Sequence, residues 1–396
     1  MADPSITKQK YLTASEELGH TPSSEIVFIL DQAVEQNSIE PINNFQLELH
    51  GNKRNERNEM YRKRLNHKDV DVLCHTLLGD TFVVHLDIGF NEIGDEGAII
   101  LGKFLLDNKC FLQGLNLRYN DIGPTGCQEI AKGLQMNETL RSLGLDGNKF
   151  GNVGGLAIAG ALQVNYTLEE LNLNDTDLTN QSIIAFTTVL KANNTLKVLN
   201  LSRPLLKSEQ EETTIHLAKM LEVNQRLEEI HLSKHRMTND GVQKLIEHVI
   251  DNRLLLHLDL SCNSLSRDGM KCIAQFLKTD PPLKILNLGF NRAEDQGVVF
   301  LSEALAKKNF TLATLVLCSN SLTDVGLCSI AKTLHTNNTL IQLYIWGNKI
   351  GKDASTAFKE LTEGIVPRLA AGDTDVRAYV VDDVAYLAQL ASPYYC

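Results

Sequence analysis

Apolar residues recur along the chain in a fixed phase. In residues 112–134, Leu112, Leu115 and Leu117 point one way from a short extended segment. Asn120 then turns the chain, Ile122 covers the turn, and Ile130, Ala131 and Leu134 follow at helical spacing. This predicts one strand, one turn and one helix. The Leu-x-Leu pair returns from Leu86/Ile88 to Leu343/Ile345 at intervals of 28 to 31 residues, with an irregular first copy at Leu47/Leu49. Five residues after the first Leu stands Asn at 52, 91, 120, 148, 263, 291, 320 and 348, replaced by Thr176, Pro204 and His235 in three consecutive units. Such a unit is too small to bury its own apolar face and needs neighbours of its own kind.

A period near 28 residues, with an Asn turn and an amphipathic helix, resembles the ribonuclease-inhibitor-like class of leucine-rich repeats over roughly Leu47 to Leu361. The resemblance implies an α/β horseshoe of about eleven repeats. Parallel strands, ~4.8 Å apart, line its concave face, and helices, ~10 Å wide, spread on its convex face. The recurrent Asn is expected to satisfy turn backbone groups that have no ladder partner.

Taken in order, residues 1–22 are polar and aperiodic and read as a mobile segment. Residues 23–44 read as a capping helix with Ser23 or Ser24 as N-cap. The solenoid occupies 45–361. It is interrupted at 53–64 by a basic insertion containing Lys53, Arg54, Arg57, Arg62, Lys63 and Arg64 against Glu56 and Glu59. That insertion is either a solvated loop or a docking arm for an acidic partner. Residues 362–396 read as a C-terminal cap and tail, with a short helix over 384–390.

The net charge of −11 argues against broad nucleic-acid or anionic-membrane binding. No run of ~20 apolar residues is present to span a membrane, and the start lacks the apolar core of a signal peptide. The eight cysteines form no C-x-x-C and read as free thiols in a reducing compartment. The sequons at Asn137, Asn165, Asn309 and Asn337 share one repeat position, where the helix bends back to the next strand, and read as turn chemistry.

Side chains flanking the two Leu of each strand face the inner surface. Candidate protein contacts there are Asp87, Arg118, Asp146, Glu170, His231, Asp259, Tyr344 and Trp346, the last being the only Trp in the chain. Aromatic anchors dominate interface energetics, which puts Tyr344 and Trp346 first. Parallel stacking sets Glu229 beside His257 and His231 beside Asp259. On an open, wet face these read as ordinary cross-strand contacts rather than a metal or proton-transfer site. No catalytic motif, cofactor or small-molecule substrate is indicated.

The resemblance extends to stand-alone intracellular members of the class and to repeat subunits of ciliary axonemes. It implies a non-enzymatic protein-binding scaffold in a multi-subunit assembly, axonemal or nucleolar. The alternative is a soluble regulator of a small GTPase or nuclease acting through the concave face.

Overall fold

The computed structural model describes residues 3–52, 63–206, 211–365, 367–370 and 372–391. Two compact units, Met1–Asn200 and Leu201–Cys396, divide the chain. The first contains α1 (Pro4–Glu17), α2 (Ser24–Ile39), β1 (Phe45–Glu48), α3 (His67–Leu77), β2 (Val83–Asp87), α4 (Gly94–Leu106) and β3 (Gly114–Asn116). It continues with α5 (Pro124–Met136), β4 (Ser142–Gly144), α6 (Gly151–Leu162), β5 (Glu170–Asn172), α7 (Asn180–Leu190) and β6 (Val198–Asn200). The second contains α8 (Glu211–Val223), β7 (Glu229–His231), α9 (Asn239–Val249), β8 (His257–Asp259), α10 (Arg267–Leu277), β9 (Ile285–Asn287) and α11 (Glu294–Lys307). It ends with β10 (Thr314–Val316), α12 (Asp324–Leu334), β11 (Gln342–Tyr344), α13 (Lys352–Glu363), β12 (Val376–Val381) and β13 (Val384–Gln389). Within the first unit β1 to β6, and within the second β7 to β11, follow chain order as parallel neighbours. The repeat Leu residues pair in register, Leu86 with Leu115, Leu115 with Leu143, and Leu258 with Leu286. These Leu are buried against the helices, so the hydrophobic term that holds each strand is the burial of its own repeat pair.

The recurrent Asn performs the predicted task, and with four bonds. Asn148 Nδ2 donates to the Leu145 and Leu117 carbonyls at 2.9 Å each, and its Oδ1 accepts from the Asn120 and Ile122 amides at 2.9 and 3.1 Å. One side chain therefore closes its own turn and the turn before it. The preceding residue is left-handed: Phe90, Phe290 and Tyr119 have φ of 61°, 57° and 51°. Such backbone costs a non-Gly residue about 1 kcal/mol, which the Asn bonds offset. A second ladder runs along the opposite edge. Asn137 Nδ2 reaches Leu105 O at 2.9 Å while its Oδ1 accepts from the Thr139 and Leu140 amides. Asn165, Asn309 and Asn337 are buried in the same role. The sequons are turn chemistry.

The three departures from Asn are accommodated locally. Thr176 Oγ1 donates to its own Leu173 carbonyl at 2.7 Å. Pro204 and His235 compensate each other. Pro204 has no N–H to give, so the following repeat needs no acceptor there. His235 only donates, from Nε2 to Leu201 O at 2.9 Å. Its Nδ1 is buried without a hydrogen-bond partner.

Three expectations are corrected. Residues 1–22 are not a mobile segment throughout, because α1 packs on α2 and α3 with Thr7, Tyr11 and Ala14 buried. Ser23 N donates to Tyr11 Oη at 3.0 Å, and Thr7 Oγ1 donates to Asp80 Oδ1 at 2.7 Å. The buried face mixes Thr7 and Ser15 with Pro4, Tyr11 and Ala14 and carries no aliphatic side chain larger than Ala or Pro, so apolar periodicity does not mark it. The signal was Asp3-Pro4, an N-cap followed by Pro at the first helical position. The 384–390 helix is instead β13, which pairs antiparallel with β12 and rests on α13. Asp382 and Asp383 have φ of 49° and 62°, the two-residue turn that suits a right-twisted hairpin. Free thiols hold for Cys74, Cys110, Cys127, Cys272, Cys318 and Cys328, whereas Cys262 is disulfide-bonded. Ser23 occupies the N-cap of α2 without a side-chain bond.

Candidate functional site: the exposed face of the strands

Because side chains alternate along a strand, the residues flanking each buried Leu share the face turned away from the helices. In the Met1–Asn200 unit this face is organised by Arg118. Its Nη2 donates to His50 Nδ1 at 3.1 Å, which leaves the His50 proton on Nε2, 3.1 Å from Asp87 Oδ2. Asn116 Nδ2 donates to the same carboxylate oxygen at 2.8 Å. The guanidinium carbon lies 5.1 Å over the Phe90 ring, and Phe90 stacks on Tyr119 at 4.9 Å. Gly89 lets the Arg118 stem pass, since a Cβ there would meet its Cγ at 2.7 Å. Asp146 accepts from Asn172 Nδ2 at 3.1 Å. Burial pushes its carboxyl above the ordinary value; the Asp87 charge adds to this and Arg118 opposes it. Glu170 is exposed and accepts from Ser142 Oγ at 3.1 Å. Asp87, Arg118, Asp146 and Glu170 thus lie on successive strands or the turns just after them, fixed at their stems by neutral and ionic hydrogen bonds.

In the Leu201–Cys396 unit the expected register is present: Glu229 faces His257 and His231 faces Asp259. Glu229 Oε2 is 3.3 Å from His257 Nδ1 and 3.9 Å from His231 Nε2, while His231 Nδ1 is 3.6 Å from Asp259 Oδ2. The two imidazoles meet edge to face with centroids 4.6 Å apart. Burial, helped by the His231 charge, holds His257 below the ordinary imidazole value against the pull of Glu229 and Asp259. Burial raises Asp259, but hydrogen bonds from His231 and Ser261 outweigh it and keep the carboxyl below its usual range.

The aromatic contact expected at the C-terminal end is corrected. Tyr344 is only 3% exposed and forms a buried cluster with Val316 and Cys318. Its hydroxyl donates to Gly372 O at 3.3 Å, so the chain beyond α13 covers it. Trp346 stays partly exposed beside it. The clasp is Asp375, fully buried, whose oxygens accept from the Ile345 and Trp346 amides at 2.8 and 2.9 Å. Cys318 Sγ donates to the same carboxylate at 3.2 Å; burial and that carboxylate push the Cys318 thiol up. We expect Asp375→Ala to remove roughly 3 kcal/mol from this end and to uncover Tyr344. Trp346 fluorescence against urea measures the loss, and an unchanged midpoint would show that the clasp contributes nothing.

Of the basic insertion, Lys53, Arg54, Arg57 and Arg62 lie outside the described residues. Lys63 and Arg64 are described, and Arg64 pairs with Glu92 at 3.2 Å, exposed on both sides, a contact of small energetic weight. Among the described residues no helix is long and apolar enough to cross a membrane.

Comparison with known proteins agrees with this geometry. The family described as Leucine Rich repeat matches residues 79–102, 108–131, 137–159, 223–245 and 251–274. Leucine-rich repeat-containing protein 34 from Rattus norvegicus is 40% identical over 191 residues, 48% of this chain and 46% of the relative. Its Homo sapiens counterpart is 39% identical, over 48% and 41%. NACHT, LRR and PYD domains-containing protein 3 from Homo sapiens is 30% identical over 158 residues, 39% of this chain and 15% of the relative. The chain spans about half the length of the leucine-rich repeat-containing protein 34 relatives it matches. In fold it is similar to the crystal structure of the Rad7 and Elc1 complex in yeast, at TM-score 0.51 and 14% identity over 89% of this chain and 90% of that one. With the repeats matched in sequence and the alternation of parallel strands and helices observed in the fold, the chain is a leucine-rich-repeat protein similar to leucine-rich repeat-containing protein 34.

Proposed function

We propose that this chain is a non-enzymatic scaffold that holds a protein partner against the exposed face of its strands. Leucine-rich-repeat arrays typically act in protein–protein interaction. The observation that carries the reading is the row Asp87, Arg118, Asp146 and Glu170. It presents the exposed Glu170 and the partly exposed Arg118 and Asp146 on hydrogen-bonded backbone, with Asp87 buried beneath and Arg118 preorganised by His50, Asp87 and Phe90. Preorganised charge sets specificity and association rate at such surfaces. The finer reading is a structural subunit of a larger assembly such as the ciliary axoneme, with Lys63 and Arg64 at the foot of a basic arm that meets an acidic partner.

Proximity labelling with the full chain as bait in a ciliated cell tests both levels. We expect axonemal components to be enriched, and the enrichment to fall at least tenfold for the bait carrying Arg118→Glu with Glu170→Lys. Recovery of a small GTPase or nuclease without axonemal proteins would replace the assembly reading by the regulator reading. A partner set indifferent to the double substitution would remove the strand face.

A further inference from the structure

We propose that Glu229, His231 and His257 form a binding site for one divalent transition-metal cation of the zinc class, with Asp259 as the residue that orients His231. The three donors come from two adjacent strands and one face. Glu229 and His231 are two apart on β7, and His257 stands opposite Glu229 on β8. One ligand atom from each falls within 4.8 Å of the others. Tetrahedral zinc with nitrogen and oxygen ligands at ~2.0–2.1 Å sets its ligand atoms about 3.3 Å apart. The Glu229–His257 contact is already 3.3 Å, and the Glu229–His231 contact exceeds it by 0.6 Å. Closing that difference requires a rotation of Glu229, whose side chain is 38% exposed, and the imidazole pair, within 4.8 Å, closes by turning the rings.

The surroundings fit a cation better than they fit a bare surface pair. His231 directs Nδ1 at Asp259 Oδ2, and Asp259 Oδ1 is itself fixed by the Ser261 amide at 2.8 Å. A carboxylate behind one ring nitrogen aims the other at the metal and raises its basicity. His257 turns Nδ1 toward Glu229 at 3.3 Å, so Nδ1 is the nitrogen available to the cation, and Nε2, buried without a hydrogen-bond partner, would carry the ring proton. A shared cation replaces that long contact by two coordination bonds. Two neutral imidazoles, the Glu229 carboxylate and the Asp259 carboxylate together offset the charge of a dication. Two nitrogens and one oxygen favour zinc or cobalt over calcium or magnesium, which take oxygen sets. Three protein ligands leave a fourth position toward solvent, which water fills.

The test is equilibrium dialysis of the full chain against Co²⁺ and Zn²⁺ alone, with the visible cobalt spectrum read in parallel. We expect one cation per chain and a cobalt spectrum of low coordination number. Glu229→Gln and His257→Gln should each weaken binding tenfold or more, and Asp259→Asn about tenfold. His248→Gln, which removes an imidazole paired with Glu222 at 2.7 Å between α8 and α9, should change nothing. Glu229→Gln keeps the size of a half-exposed side chain, so the folded state survives it, and circular dichroism checks this before dialysis. Absence of stoichiometric binding, or binding unaltered by Glu229→Gln, overturns the site.

Discussion

His235→Asn should flatten the acid side of the stability profile of the Leu201–Cys396 unit. His235 is fully buried, and burial pulls its imidazole from 6.5 down to about 4, against the opposing hydrogen bond to Leu201 and the charge of Asp259. A depressed pKa on a base means that the unfolded chain takes the proton first. Stability from this group is therefore complete above pH 6.5, falls as pH drops toward 4, and levels off below that. Between pH 7.5 and 4.5 the loss is about 2.5 kcal/mol, because each pH unit inside that window removes about 1.36 kcal/mol. An Asn side chain cannot titrate, and it can keep a donor for Leu201 O as Asn263 does for Leu232 O at 3.0 Å. Its carbonyl oxygen would face Pro204, which has no N–H, so about 1 kcal/mol is lost at neutral pH. The variant should be less stable than the parent at pH 7.5 and more stable at pH 4.5. Trp346, the single Trp, lies in the same unit and reports its urea midpoint. Parallel pH slopes for parent and variant would show that His235 is not the acid-sensitive group.

The same position shows what was legible in the sequence and what was not. That Asn recurs at 120, 148, 263 and 291 is visible as a pattern, and the pattern alone implies turn chemistry. That Pro204 and His235 are one compensated event is not visible, because it depends on which amide each Asn oxygen accepts from one repeat back. The repeat Leu pairs, the strand register and the Glu229–His257 alignment follow from period alone, since a parallel ladder offers no other phase. The ends escape period-based reading. Helix α1 is buried through Pro4, Thr7, Tyr11, Ala14 and Ser15, a mixed face without a Leu, Ile or Val stripe to announce it. The hairpin that replaces the expected terminal helix is encoded in two aspartates between the runs Val376–Val381 and Val384–Gln389. Tyr344 is misread for a related reason: its position on the strand face is correct, and the cover that buries it comes from residues beyond the last repeat. Asp146 and Arg118 are placed by the pattern as candidates, whereas His50 and Phe90, which fix Arg118, lie in turns whose reach no spacing reveals.

Removing one Asn from the middle of the ladder should cost more than removing any exposed residue, and Asn148→Ala is the sharpest case. The side chain is fully buried and makes four bonds to backbone, two as donor and two as acceptor. Alanine leaves the Asn120 and Ile122 amides without this acceptor, whereas the Leu117 carbonyl keeps Asn120 Nδ2 at 2.9 Å and the Leu145 carbonyl keeps the residue 148 amide at 3.4 Å. A buried unsatisfied group costs about 1–3 kcal/mol. Relaxation recovers part of the sum, so we expect a loss of roughly 4 kcal/mol, a large share of a typical total of about 5–15 kcal/mol. The left-handed turn around Tyr119 would also lose what holds it against its backbone cost. The chain supplies its own intermediate case: Thr176 keeps a single donation to Leu173 O at 2.7 Å at the equivalent position. Asn148→Thr should therefore retain the bond to Leu145 and lose about half as much. Amide hydrogen exchange distinguishes this mechanism from a general loss of packing. The Asn120 and Ile122 amides should lose protection first in the Ala and Thr variants, ahead of the strand amides on either side. A loss under about 1 kcal/mol for Asn148→Ala, or protection at those two amides equal to the parent, would mean that the Leu pairs hold the turns without the ladder.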